Sequence, residues 1–295
     1  MIDKNLKKEI ALRIKLIERP GRIALSTRYP LLKVPIIFTR RFIRNWQNFF
    51  NSRIVRQHSK KFFPNIVARH QSVLIRTLGN SDLRLQKNKV VNLKLSTQKL
   101  NGAIIPPGKT FSLWYYVGNP TRRRGYVDGM LLASGKVVEG VGGGLCQLAN
   151  FMFWIMMHAD VEVVERYHHS HDVFPDSGRV LPFGSGATIM YNFVDLKLKN
   201  ISNHPLQIKI WVGAKYLKGQ ILSDTKPAKK FHVYERNHCF VKKGKQYYRY
   251  NEIWRDTLVL GRLAKSEKIV TNLAPVLYEM SKNYIKENNF KIIYL

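Results

Sequence analysis

Cysteine is nearly absent from this chain, and acid is scarce beside base. The chain holds 2 cysteines in 295 residues, and 19 Asp/Glu against 50 Lys/Arg. Two cysteines make no disulfide framework and exclude a cysteine-rich zinc site. Long apolar runs are also missing. The stretch Leu31-Leu32-Lys33-Val34-Pro35-Ile36-Ile37-Phe38 is too short, and too broken by Lys33 and Pro35, to span a bilayer. Met1 to Lys8 lacks the apolar core and the cleavage site of a secretory signal. The expectation is a cytoplasmic protein, or one peripheral at a membrane, with no transmembrane segment. There is no internal repeat, no cofactor-binding signature and no nucleic-acid-binding motif, so neither a cofactor nor nucleic acid is expected as a partner.

What is abundant is positive charge, at a formal net of +31, and it is unevenly placed. Residues 1–90 carry 21 Lys/Arg and 4 Asp/Glu, residues 91–212 carry 12 and 8, and residues 213–295 carry 17 and 7. The centre is nearly balanced and the flanks are basic. Such flanks favour an anionic partner, a membrane surface, a wall polymer or nucleic acid, the last without a supporting motif, although solubility alone can account for surface charge. Arg40, Arg41 and Arg44 lie among Phe38, Phe42, Ile43, Trp46, Phe49 and Phe50. This stretch reads as a basic, aromatic helix, suited either to a membrane surface or to packing on its own domain.

The pattern of elements is mixed. Helices are predicted over 1–18, 36–50, 54–78 and 90–101, the last closed by Gly102. Hairpins are predicted over 129–141 and around Lys242-Lys243-Gly244-Lys245. Strands follow at 161–167, 187–191, 196–199 and 206–212, with a proline- and glycine-rich loop over 172–186. Without regular βαβ alternation the class is α+β. Three regions are expected: a basic helical part over 1–89, a central mixed domain over 90–212 built round one buried helix, and a basic β-rich extension over 213–295.

The sharpest motif is Gly142-Gly143-Gly144-Leu145-Cys146-Gln147, followed by an apolar helix to about His158. A cysteine in the first turn of a helix feels the positive end of the dipole, which favours thiolate. The backbone N–H groups of Gly143, Gly144 and Leu145 are candidates to hold an oxyanion or a bound anion. The same residues also suit a plain turn and a small buried hydrophobe. Cys239, in a strand-like run, reads as structural. His168, His169 and His171 follow after one helix and one strand, which offers a base to pair with Cys146. Their spacing is not a zinc signature, and no metal is expected.

From about Val90 to Val212 the sequence resembles the VanW family. The resemblance rests on Asn92-Leu93-Lys94-Leu95, Pro107-Gly108-Lys109-Thr110-Phe111-Ser112, Gly125-Tyr126, Val141 to Gln147, Val164-Glu165-Arg166-Tyr167-His168-His169, Ala187-Thr188 and Asp195-Leu196-Lys197. It implies a link to peptidoglycan and glycopeptide resistance, and, for some members, L,D-transpeptidase chemistry. On that pattern Cys146 attacks the acyl donor, His169 or His168 is the base, and peptidoglycan peptide or its precursor is the partner. The alternative is a non-catalytic protein binding an anionic wall precursor or membrane surface. Two positions depart from the pattern. Tyr167 stands where a family histidine is common, and Gly186 where many members have aspartate. Asp172, Asp176 or Ser170 is left to orient the histidine.

Overall fold

The computed structural model describes residues 4–19, 29–75, 82–133, 136–168, 170–173, 175 and 180–295. The elements, in order, are α1 (Lys4–Glu18), a 3-10 turn (Pro30–Leu32), α2 (Lys33–Phe50), β1 (Gln57–His58), β2 (Asn65–Val73), α3 (Leu83–Leu100), β3 (Ala103–Ile105), β4 (Thr110–Ser112) and α4 (Leu113–Val117). A second 3-10 turn (Arg122–Arg124) leads to β5 (Asp128–Ala133), β6 (Lys136–Val141), α5 (Cys146–Met156), β7 (Val161–Glu165), β8 (Lys197–Asn200), β9 (Leu206–Val212) and β10 (Tyr216–Ser223). The chain ends with β11 (Lys229–Lys243), β12 (Gln246–Val259), β13 (Arg262–Pro275), α6 (Lys282–Glu287) and β14 (Ile292–Tyr294). Helices and mainly antiparallel strands in separate sheets make this an α+β fold.

The central sheet runs β1-β3-β9-β10-β2. It carries α5 on β2 and β10, and α3 on β9. The sequence makes α5 apolar nearly all round, and it is buried accordingly: Leu148, Ala149, Phe151, Met152, Phe153, Ile155 and Met156 lie in the main core. Asp82 caps α3 by accepting from the Arg84 N–H at 2.7 Å, which starts the helix earlier than its apolar pattern suggests. A three-stranded sheet, β4-β8-β7, and the β5–β6 hairpin complete the centre.

Two sequence expectations fail here. The described part of the expected helix 54–78, residues 54–75, is not helical, because Pro64 blocks a helix and Asn65–Val73 finds an antiparallel partner in β10; residues 76–78 lie outside the described residues. Residues 187–191 form no strand, only the isolated bridges Tyr167–Thr188 and Met190–Val194. The expected C-terminal hairpin is larger than its pattern suggests. β11 and β12 run 15 and 14 residues, β13 adds a third long strand, and β14 adds a parallel edge. α1 packs on this sheet. Its Ile10 and Ile14 are fully buried beside Cys239, Val241, Tyr248, Tyr250, Leu273 and Ile293. The first and last parts of the chain therefore share one core. Cys239 is part of it, with burial pushing its thiol up to about 11.

α2 is oriented in an unusual way. A surface helix ordinarily turns its apolar stripe inward. Here the polar side faces the protein. Asn48 is buried and accepts from Lys197 Nζ at 3.0 Å, Asn45 Oδ1 accepts from Asn192 Nδ2 at 2.7 Å, and Arg44 pairs with Glu165. Phe38, Phe42, Trp46 and Phe49 point out, with 70, 63, 58 and 71 % of their surface exposed. No helix among the described residues is long and apolar enough to cross a membrane.

Candidate functional site

The glycine turn is held in place from beneath by α3. Asn92, fully buried, accepts from the Val127 N–H at 2.9 Å and donates to the carbonyls of Val127 at 3.0 Å and Gly143 at 2.9 Å. Gly142 and Gly144 sit at φ +77° and +88°, which side chains resist. Gly143 lies against the backbone of Gly129, where a Cβ would come within 2.1 Å. The turn is thus a tightly fitted support and not a slack loop. An Asn92→Ala change leaves a buried N–H and two carbonyls short of partners. The expected loss is ~3 kcal/mol of unfolding free energy, read from a denaturant titration.

The turn delivers Cys146 to the first position of α5. The N–H groups of Gly143 and Gly144 are already engaged, donating to Gly140 at 3.0 Å and Met130 at 2.8 Å. They serve the turn itself, and the N–H of Leu145 is the one of the three without a backbone carbonyl partner among the described residues. Cys146 is half-buried, and burial pushes its thiol up. The backbones of Ile189 and of Cys146 itself pull partly the other way. At rest, then, this thiol holds its proton, against the sequence expectation of a dipole-stabilised thiolate.

The Ile189 contact links Cys146 to the histidine segment. Thr188 N–H donates to the Tyr167 carbonyl at 2.7 Å, and His168 is the next residue. Burial, then the Arg166 charge, holds His168 below the ordinary histidine value, with the backbone of Leu273 opposing. His169 and Asp176 lie outside the described residues. His171 Nδ1 is 2.9 Å from Ser170 Oγ at the surface. Asp172 is buried with Arg249 Nη1 at 3.3 Å and accepts from Tyr278 Oη at 3.0 Å, so it is tied to the C-terminal sheet. Gly186 has a local reason. A Cβ there would come within 2.2 Å of Asn150 Oδ1, which accepts from the Ala187 N–H at 2.8 Å. Asn150 occupies the space that a side chain at 186 would need.

A model for VanW like protein matches residues 88–222. The Vancomycin B-type resistance protein VanW of Enterococcus faecalis is 31 % identical over 211 residues, which is 70 % of this chain and 77 % of that protein. The chain belongs to the VanW family. The Uncharacterized protein YoaR of Bacillus subtilis is 32 % identical over 123 residues, 42 % of this chain and 39 % of its own length. No solved structure matches.

Within the VanW match, several motif residues act as braces. Asp195 accepts from Ser112 Oγ at 2.5 Å and from the Trp114 and Leu196 N–H groups at 3.1 and 2.8 Å, which joins two distant motifs. Arg166 donates to Gly186 O at 2.8 Å, to Gly184 O and to Asn272 Oδ1 at 3.0 Å, and lies over Phe153. Glu165 accepts from the Asp195 N–H at 3.1 Å and faces Lys197. Sequence reasoning found the motifs but not these roles, because the partners are up to 106 residues apart.

Proposed function

We propose that this protein acts on a cell-wall peptide or a related acyl compound in glycopeptide resistance, with Cys146 as its nucleophile. The observation that carries the reading is the short link from Cys146 through Ile189 and Thr188 to Tyr167 and His168. The Cys146 sulfur meets the backbone of Ile189, next to Thr188, whose bridge partner Tyr167 precedes His168, and this chain of contacts supports a cysteine–histidine pairing. The relative's name, a vancomycin B-type resistance protein, supports the biological setting.

In the proposed reaction the Cys146 sulfur attacks the donor carbonyl and a thioester forms. His168 or His169 takes the thiol proton and passes it to the leaving amine. The Leu145 N–H, which has no backbone carbonyl partner among the described residues, is the donor left for the developing oxyanion. A protonated thiol and a depressed, hence neutral, His168 suit this order of events. The proton moves during attack, and no ion pair stands ready beforehand. Iodoacetamide labelling of Cys146 should therefore be slow at neutral pH and keep rising above pH ~8.5, the free-thiol value. A labelling rate already flat below pH 7 contradicts it. Incubation with a cell-wall stem peptide should add an acyl mass to the wild-type chain and none to Cys146→Ser. Equal masses in the two proteins refute the nucleophile.

A second reading is favoured by α2. We infer that its outward aromatic face and the surrounding cations rest on an anionic lipid surface. From Arg19 to Ser81 there are 13 Lys/Arg and no Asp or Glu. Apolar side chains inserted at headgroup level, with cations around them, describe an interfacial helix. This reading is compatible with either catalysis or pure binding at the surface, and vesicle flotation tests it.

A further inference from the structure

A cleft of about 520 Å³ opens near α2 and is lined by Arg56, Lys99, Tyr116, Gly118, Arg124 and Tyr191, among others. It is built from five separate places in the chain: the segment after α2, the last turn of α3, the end of α4, the second 3-10 turn and the loop before β8. Three cations meet there. Among the described residues none of the three is paired with a carboxylate, whereas the neighbouring Arg122 is engaged by Asp128 at 2.5 Å.

The geometry has further built features. Lys99 Nζ donates to the Val117 carbonyl at 3.0 Å and lies 5.3 Å from the Tyr126 ring centre, so the ammonium is held in place with two protons to spare. Arg124 Nη1 crosses Gly118, where a Cβ would come within 2.5 Å, and reaches the Asn119 carbonyl at 3.4 Å. Arg56 is exposed, and its side chain makes no hydrogen bond among the described residues. Like charges gathered this way repel. Burial first, and then Arg124 and Arg56, depress the Lys99 ammonium. A site that concentrates three cations without an acid is at its most favourable when an anion neutralises it.

We propose that this cleft binds a phosphate or diphosphate group. A single carboxylate neutralises one of the three charges, whereas a diphosphate carries enough charge for all three. Its many oxygens suit the guanidinium forks of Arg56 and Arg124 and the point charge of Lys99. The volume accommodates a phosphate with part of the molecule attached to it, against the rings of Tyr116 and Tyr191. Tyr191 ties the cleft to α2, since its ring lies 5.4 Å from the Arg41 guanidinium carbon. A phosphorylated lipid headgroup and a free phosphorylated solute share this chemistry. The inference is independent of Cys146 and does not require α2 to meet a membrane.

The test is calorimetric titration of the full chain with inorganic pyrophosphate, in a buffer free of other polyvalent anions. Wild type should bind. Arg56→Gln and Arg124→Gln should each weaken binding about tenfold, while Arg123→Gln, on the same 3-10 turn but outside the cleft, should leave it unchanged. Both arginines are exposed, so the variants should keep their circular dichroism spectra. Flotation with vesicles containing phosphatidic acid or, at equal surface charge, phosphatidylserine separates the two sources. A preference for phosphatidic acid that Arg124→Gln removes identifies a lipid headgroup. No preference, with pyrophosphate binding retained, identifies a soluble ligand. The proposal is overturned if pyrophosphate does not bind wild type at millimolar concentration. It is also overturned if Arg123→Gln weakens binding as much as Arg124→Gln does.

Discussion

Replacing Phe42, Trp46 and Phe49 together by serine is expected to free the protein from anionic vesicles, with at least ~100-fold weaker partitioning, and without lowering its unfolding midpoint. Full burial of an aromatic side chain is worth ~1.5–3 kcal/mol. Partial insertion at headgroup depth recovers a share of that, about 1 kcal/mol each, and ~3 kcal/mol in total is somewhat more than a hundredfold. The stability half of the prediction follows from exposure. The three rings are mostly in water, and α2 is attached through Asn45, Asn48 and Arg44 on its other side. Surface changes away from such contacts stay within ~0.5 kcal/mol. Vesicle flotation and thermal unfolding on the same variant give the two readings. Unchanged flotation with the rings gone means that the helix face serves something other than lipid. A collapse in stability means that the rings pack on protein.

The second large effect lies at the glycine turn. Gly143→Ala should destabilise the fold by about 4 kcal/mol and lower the thermal midpoint by roughly 8–16 °C, well beyond the typical point mutation. The added Cβ meets the carbonyl carbon of Gly129 at 2.1 Å and its oxygen at 2.2 Å. Both are backbone atoms, so no side chain can swing away. The β5–β6 hairpin and the start of α5 would have to separate, and the separation would break the Asn92 bond to Gly143. The same displacement carries Cys146 away from Ile189. Labelling by iodoacetamide at neutral pH should therefore accelerate in the variant as the thiol loses its cover. A midpoint within a degree of wild type means that the turn relaxes freely and does not act as a support.

The catalytic and surface readings make different demands on the molecule. Acyl transfer needs Cys146 and its histidine. Surface binding needs α2 and tolerates Cys146→Ser. The pyrophosphate titration depends on neither. Applied to one set of variants, these measurements tell whether the VanW chain works as an enzyme at a surface, as an enzyme elsewhere, or as a binding protein.

The sequence by itself determined the α+β class, the buried helix α5, the helical stretch that became α2, the β5–β6 hairpin and the family. Each is written in local signals: the all-round apolar run of 146–156, the turn chemistry near Gly135, the glycine–cysteine motif with its ordered neighbours. Its helical reading of 54–78 fails over the described residues 54–75, because the strand β2 is settled by its pairing with β10, almost 150 residues later. It left β10 and β13 unassigned, although each forms a hairpin with the strand just before it, β9 and β12. The roles of Asn92, Asp195 and Arg166 were also beyond it. A motif shows that a residue is present, and only packing shows whether its side chain braces a turn or faces a substrate. Charge is the clearest case. Counting gives an excess of Lys and Arg, but only the tertiary structure separates Arg44, paired with Glu165, from Arg56 and Arg124, gathered with Lys99 around a cleft. Whether α2 turned its rings inward or outward was likewise open in the sequence. Burial of Asn48 against Lys197 fixed the polar side inward and left the aromatic side to face whatever the protein meets.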